Sequence, residues 1–296
     1  MEKGYIMLTQ EKHCQRITTI NTKKLTQAEL KEAFVKERAR GAYIASTCQP
    51  EASFLLSFAA QSQVNPSIKD AELMNECLAW QIQNKARGLR FIPLDLNKLQ
   101  MMVFVDASFA GNTDYTSQLG YVIVLANIVT QQNTDGKKCI KIKANIIHWS
   151  STKCKRVTRS VLASELYAMA NGFDIASTVK ATTDAAVKNS PAGYGRIPLI
   201  LCTDSYSLYD YIVKLGTSSE KRLMIDIMSL RESYERREID QVIWINGESN
   251  PADSMTKRPA KAGNALRRLV DTNHLELITE AWVERNKEGA LERKAQ

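Results

Sequence analysis

The chain has 296 residues, 44% of them hydrophobic and 24% charged, which is an ordinary composition for a soluble globular protein that can build a core. Its 40 Lys and Arg outnumber 32 Asp and Glu, and the net charge of +8 favours a polyanionic partner. Six scattered cysteines without a Cys-x-x-Cys pair, and three histidines, indicate neither a zinc site nor a disulfide framework. No apolar run is long enough to span a membrane and no signal peptide is evident, so we expect an intracellular protein of cytoplasm or nucleus, not secreted, without a membrane partner.

The first ninety residues carry helical signals. Thr26 and Glu29 form a capping-box pattern that predicts a helix over 26–40, closing near Gly41. Two more helices are predicted around 51–62 and 67–87, the second opened by Asn65 and Pro66. We therefore expect this part of the chain to be mostly α-helical.

Apolar runs of the length of a β-strand begin at Leu99. The stretches "LQMMVFVD", "LGYVIVLAN" and the alternating "CIKIKANIIHW" predict three strands. Asp135-Gly136 is a hairpin signal between the last two, so these strands are expected to form an antiparallel meander.

Helices and strands then alternate. A helix over "SVLASELYAMANGFDIAS" precedes a fourth strand, "IPLILCTD"; helices over 205–214 and 219–237 precede a fifth, "QVIWIN"; a short helix follows Asn250 and Pro251. The order β-β-β-α-β-α-α-β-α predicts an α/β fold with a mixed five-stranded sheet and flanking helices. In the tail, 261–296, charges alternate at helical spacing with leucines between them, which predicts a surface or partner helix.

Four acidic residues stand at informative places in this layout. Asp106 and Asp204 each end an apolar strand, and Asp253 lies in the first turn of a helix, where the helix dipole alone would explain it. Glu165 lies in a helix whose positions three and four residues away are all apolar, so its carboxylate is expected to face the sheet. Each acid has an ordinary explanation by itself, but together they predict a divalent-metal site, because Mg²⁺ prefers hard oxygen ligands.

The motifs around these acids resemble the ribonuclease H domain of copia-type LTR retrotransposon reverse transcriptase polyproteins. "VDASFAG" is similar to the D-A-D-W-A-G of that family, with Ser108 at its second acid. "HWSSTKCKRVTRSVLASEL" is similar to W-x-S-K-K-Q-x-x-V-x-x-S-S-x-E-A-E, with Ala163 as a departure, and it places Glu165 on the catalytic glutamate. "CTDSYSL" places Asp204 on the third acid, followed by Ser205 where asparagine is usual, and the segment ending "ADSMTK" places Asp253 on the fourth.

The resemblance implies a division of the chain into three parts. Residues 1–98 would be a remnant of the polymerase palm end followed by a helical thumb or connection segment, 99–260 a ribonuclease H-like domain, and 261–296 the charged helical tail. The Tyr-x-Asp-Asp type motif is absent, so no polymerase active site is expected in this chain.

The resemblance also implies a reaction, hydrolysis of the RNA strand of an RNA–DNA hybrid, leaving a 3′-hydroxyl and a 5′-phosphate. Two Mg²⁺ ions, or Mn²⁺ in their place, are expected. Asp106 is the expected ligand of both ions, with Glu165 and Asp204 on one and Asp253 on the other. The implied partners are the hybrid and the rest of a reverse transcriptase polyprotein.

The densest basic run near the acids consists of Lys153, Lys155, Arg156 and Arg159. These side chains are candidates for contacts to phosphate groups of the hybrid, and a solvated loop before a helix explains them equally well.

Two alternatives bear on the function. An integrase or transposase of the same fold class also uses strand-end acids, but in the order Asp, Asp, Glu, whereas glutamate comes second here. A non-catalytic, degenerate or domesticated retroelement fragment that binds nucleic acid or protein is the stronger alternative. All four acids stand in register, which favours the active nuclease over such a fragment.

Overall fold

The structure is a computed structural model that describes residues 4–23, 25–112, 114–134, 137–188, 196–214 and 220–282. Before residue 92 the chain is mostly helical, as the sequence predicts. The helices are α1 (Glu11–Cys14), α2 (Gln27–Thr47), α3 (Ser53–Ala60) and α4 (Ile68–Gln83), and a small antiparallel sheet pairs β1 (Ile6–Leu8) with β2 (Leu89–Phe91). Among the described helices, none combines the length and the apolar character needed to cross a bilayer.

The predicted capping box starts α2. The Thr26 hydroxyl accepts a hydrogen bond of 3.3 Å from the backbone N–H of Glu29, and the Glu29 carboxylate accepts one of 2.8 Å from the backbone N–H of Thr26. These bonds satisfy two N–H groups that the first turn of a helix leaves without partners.

The predicted end of α2 at Gly41 is wrong, because the helix continues to Thr47. A Cβ atom on Gly41 would lie 2.7 Å from Gln81 Oε1 and 3.1 Å from a methyl group of Leu56. Gly41 is therefore the point at which α2 packs closely against α3 and α4, and it does not cap the helix.

The five predicted strands are present. The meander consists of β3 (Gln100–Ser108), β4 (Gln118–Thr134) and β5 (Lys137–Lys153), and β6 (Leu199–Thr203) and β7 (Gln241–Ile245) run parallel to β3. The order β5-β4-β3-β6-β7, with antiparallel and parallel pairs, confirms the predicted α/β fold class with a mixed sheet and flanking helices. The predicted Asp135-Gly136 turn lies outside the described residues.

The helices that follow the meander flank this sheet. They are α5 (Val161–Lys188), α6 (Tyr206–Val213) and α7 (Met224–Glu235), and the short helix after Asn250 is a 3₁₀ helix, Pro251–Met255. Gly172 lets α5 lie close to the sheet, since a Cβ atom there would be 3.0 Å from a methyl group of Val105 and 3.2 Å from one of Val103. This close packing brings the amino-terminal turns of α5 to the end of β3.

The prediction of a helical tail over 261–296 is wrong for much of its described part. A short helix, α8 (Ala265–Thr272), ends at Asn273, whose φ of 58° is left-handed, and a strand follows, β8 (His274–Trp282). Leu275, Leu277 and Thr279 are buried and alternate with more exposed residues, which is the period of a strand. β8 pairs with both β5 and β7 and closes the sheet into a ring of six strands.

The helical segment, residues 27–83, is packed directly on the sheet. Trp149 Nε1 donates to Ala45 O and to Ser53 Oγ, both at 3.1 Å. Gln118 Nε2 donates to Ser57 Oγ at 2.9 Å, and this glutamine is 1% exposed. These hydrogen bonds thus connect the two sides of the boundary predicted between residues 98 and 99.

Candidate metal centre

Asp106 and Asp204 come together because their strands are parallel neighbours. Asp106 lies near the carboxyl end of β3 and Asp204 directly follows β6. The register pairs Phe104 with Cys202, so both acids leave the sheet at the same edge. Glu165 lies one turn into α5, the helix packed across β3, and this position brings it to the same edge.

The three acids form one compact group of carboxylates. An oxygen atom from each of Asp106, Glu165 and Asp204 lies within 4.8 Å of the others. Asp106 is 2% exposed, Glu165 is 6% exposed and Asp204 is half-buried. Glu165 Oε2 is buried and has no hydrogen-bond partner among the residues that the structure describes. A divalent cation fits this group, because it would supply the missing partner and prefers hard oxygen ligands.

Burial and mutual repulsion make these carboxylates weak acids. Burial, followed by the charge of Asp204, raises the pKa of Asp106 to about 6, against the opposing effects of Lys257 and Thr256. Burial, then the charges of Asp106 and Asp204, raise the pKa of Glu165 well above its ordinary value. Burial also raises the pKa of Asp204. A bound cation would relieve both effects by favouring the ionised forms.

Two polar residues that sequence reasoning missed hold the acids in place. The Thr256 hydroxyl donates a hydrogen bond to Asp106 Oδ2. Asn250 is 1% exposed, and its Nδ2 donates to Val105 O at 2.8 Å and to Asp204 Oδ1 at 3.4 Å. The sequence marked Asn250 only as a helix cap, and it offered no signal for its contact with Asp204.

Asp253, the fourth predicted ligand, lies beside the group of three acids and has other partners. Its Oδ1 accepts a hydrogen bond from the Lys257 ammonium, and its Oδ2 accepts one of 2.8 Å from the backbone N–H of Gly263. Its charge nevertheless contributes to raising the pKa of Asp106 and Asp204. The structure therefore brings Asp253 near the other acids but gives both of its oxygens a donor.

The basic run lies at the end of β5 and before α5, and all four of its side chains are exposed: Lys153, Lys155, Arg156 and Arg159. Lys153 forms an ion pair with Asp114. Arg156 forms an ion pair of 3.2 Å with Asp226 and lies 4.9 Å from the centre of the Tyr167 ring. Among the described residues, Lys155 and Arg159 have no ion-pair partner, so their charges are free to meet a ligand.

Neither a protein-family model nor a curated protein sequence matches the chain. Several solved structures resemble it. They include LC11-RNase H1 in complex with an RNA/DNA hybrid (14% identity, 47% of this chain and 78% of that chain, TM-score 0.31). They also include RNase H1 from the halophilic archaeon Halobacterium salinarum NRC-1 (16% identity, 57% and 98%, TM-score 0.31) and the protease-reverse transcriptase of prototype foamy virus (14% identity, 49% and 17%, TM-score 0.26). None of these similarities assigns a function to this chain.

Proposed function

We propose that the chain is a Mg²⁺-dependent nuclease that hydrolyses the RNA strand of RNA–DNA hybrids. The observation that carries the proposal is the buried group of three carboxylates, in which Glu165 Oε2 has no hydrogen-bond partner within the described part of the chain. A carboxylate oxygen without a partner is costly to bury, and binding a hard divalent cation would offset this cost.

In this proposal Asp106, Glu165 and Asp204 hold the cation. When bound, Mg²⁺ lowers the pKa of a water molecule and offsets the negative charge of the phosphate group. Hydrolysis forms a bond from the water oxygen to phosphorus and breaks the bond from phosphorus to O3′. The proton passes to O3′, so the products are a 3′-hydroxyl and a 5′-phosphate.

Neighbouring residues orient the acids for binding a cation. Thr256 donates to a carboxylate oxygen of Asp106, and Asn250 donates to one of Asp204. These hydrogen bonds limit the rotation of the two carboxylates. Ligands oriented in advance lose less conformational entropy when the cation and substrate bind.

The wider setting is proposed from the sequence motifs. The four acids match the acids of the copia-type motifs, which supports the proposal that this chain is part of a retrotransposon reverse transcriptase. The other parts of that reverse transcriptase would be its partners. Mn²⁺ is a suitable replacement for Mg²⁺, and the resemblance implies two ions. All six cysteines are unpaired, which supports an intracellular setting.

The test is cleavage of a hybrid labelled in its RNA strand, with Mg²⁺, by the unmodified chain and by the variant D204N. We expect the unmodified chain to cut and D204N to lose activity by at least about 100-fold, a loss of roughly 3 kcal/mol of transition-state stabilisation. The matched control is D174N, which removes an exposed acid from α5, the helix that carries Glu165, and should retain activity.

Equal cleavage by the unmodified chain and D204N would exclude the catalytic assignment. Binding of the hybrid without cleavage by the unmodified chain would instead support the degenerate fragment that binds nucleic acid.

A further inference from the structure

Lys257 is a cation already built into the candidate metal centre. It lies four residues after Asp253, and its ammonium group donates to Asp253 Oδ1. Its side chain is 40% exposed, whereas that of Asp253 is 9% exposed. The lysine therefore reaches from the protein surface to a carboxylate that is almost entirely buried.

The charge of Lys257 acts on the whole group of acids. It opposes the raised pKa of Asp106, Glu165 and Asp204. Burial tends to lower the pKa of Lys257 itself, but the carboxylates of Asp106, Asp253 and Asp204 raise it above its ordinary value. Lys257 therefore balances part of the negative charge of these acids.

Asp253 differs from the other acids as a site for a cation. Glu165 has a buried oxygen that no described residue partners, whereas the two oxygens of Asp253 accept hydrogen bonds from Lys257 and from the backbone of Gly263. A cation at Asp253 would have to displace the ammonium group and would be repelled by it while it remained nearby. The residues present fit one divalent cation at the three acids and do not fit a second at Asp253.

We propose that the Lys257 ammonium takes the place of a second cation at Asp253, so that the free chain binds one divalent cation, held by Asp106, Glu165 and Asp204. Lys257 is in this sense a positioning residue, which fixes Asp253 and sets the number of ions. The inference rests on the cation site of the proposed function and departs from the two ions that the sequence resemblance implies.

The test counts Mn²⁺ ions bound to the full chain by the electron paramagnetic resonance signal of the free ion, without nucleic acid. We expect one ion per unmodified chain, one for K257R, which keeps the charge, and two for K257M, which removes it. The two ions of K257M should also give a spin-coupled signal that a single ion cannot give. D253N should still bind one ion, since Asp253 holds none, and D204N should bind Mn²⁺ far more weakly.

Two ions on the unmodified chain would overturn the inference. Lys257 would then have left Asp253, for example into the adjoining cavity of about 440 Å³ that it lines with Trp80 and Gly263. One ion on K257M would overturn it as well, because the lysine would not be what excludes the second. D253N and the unmodified chain test the inference even if K257M does not fold.

Failure of the proposed function has a different signature. If the unmodified chain binds no Mn²⁺, the three acids do not form a cation site, and both proposals are contradicted. A chain that binds one ion, with K257M binding two, but that never cuts a hybrid would support the role of Lys257 and contradict the nuclease function.

Discussion

The carboxylates of Asp106, Glu165 and Asp204 are costly to keep ionised at the place where the fold holds them. Burial is the largest cause of the raised pKa of each, and repulsion from neighbouring carboxylates adds to it. A fold keeps such a group only if something offsets the cost, and Lys257 offsets part of it. A cation is the partner that would offset the rest.

The pH dependence of stability follows from the pKa of Asp106. This pKa is raised from 3.8 to about 6, so the folded chain binds the proton more tightly than the unfolded chain does. The contribution of Asp106 to the free energy of unfolding is therefore most favourable below about pH 4 and falls as the pH rises through about 6.

We expect D106N to become more stable relative to the unmodified chain, by on the order of 2 kcal/mol, as the pH rises from about 4 to about 7 in the presence of a chelator. Urea unfolding of both proteins across this range measures the difference, in which the contributions of groups that do not interact with Asp106 cancel. Mg²⁺ should stabilise the unmodified chain and reduce the difference. A stability difference that stays constant with pH would show that Asp106 is ionised without cost.

The basic run divides into paired and unpaired charges, and this predicts unequal roles. Replacing Lys155 and Arg159 together by alanine should weaken binding of a hybrid and reduce the slope of log K against log salt by roughly 0.7 to 0.9 for each phosphate group that the variant no longer binds. The matched control replaces Lys153 and Arg156, whose ion pairs with Asp114 and Asp226 compete with phosphate. Titrations over a range of salt would contradict this assignment if the control changed the slope more than the test pair.

At the residue scale, three of the acids that the sequence predicted to share one site do lie close together, but the sequence did not indicate which residues hold them in place. Asp106, Glu165 and Asp204 follow apolar runs or lie in an apolar helix, and such patterns are local. The hydrogen bond from Thr256 to Asp106 joins residues 150 positions apart, and that from Asn250 to Val105 joins residues 145 apart. Contacts of this range depend on strand order and helix position, which a single sequence does not specify.

At the scale of the elements, predictions based on local chemistry agree best with the structure. The capping box at Thr26 starts α2 as predicted, and apolar runs mark the five predicted strands. β8 was missed because its charged residues also match a helical spacing. Its true partners, β5 and β7, lie far away along the chain, and pairing with them decides its structure.

The two faces of β8 predict contrasting effects of adjacent substitutions. Leu277 is fully buried in the sheet core, so L277A should lower the free energy of unfolding by about 2–5 kcal/mol. Ile278 points the other way and is 37% exposed, so I278A should cost less than about 1.5 kcal/mol. Urea unfolding measures both values, and equal losses would contradict the strand assignment.

At the scale of the molecule, the helical segment and the sheet share an interface that reaches the candidate metal centre. Gln118 donates to Ser57 of α3 and to Ser151 of β5, each at 2.9 Å. The Ser151 hydroxyl in turn donates to the backbone carbonyl of Met255, next to Thr256. This series of hydrogen bonds connects α3 to Thr256, which donates to Asp106. The sequence did not indicate this connection.

Selective hydrolysis of RNA paired with DNA is tested by comparing four substrates in parallel. They are a hybrid labelled on its RNA strand, the same hybrid labelled on its DNA strand, double-stranded RNA and double-stranded DNA. We predict that the unmodified chain with Mg²⁺ shortens only the labelled RNA of the hybrid, and that a chelator abolishes the cleavage. Cleavage of the DNA strand or of either duplex at a comparable rate would contradict the proposed selectivity. Cleavage that persists with the chelator would contradict the proposed dependence on Mg²⁺.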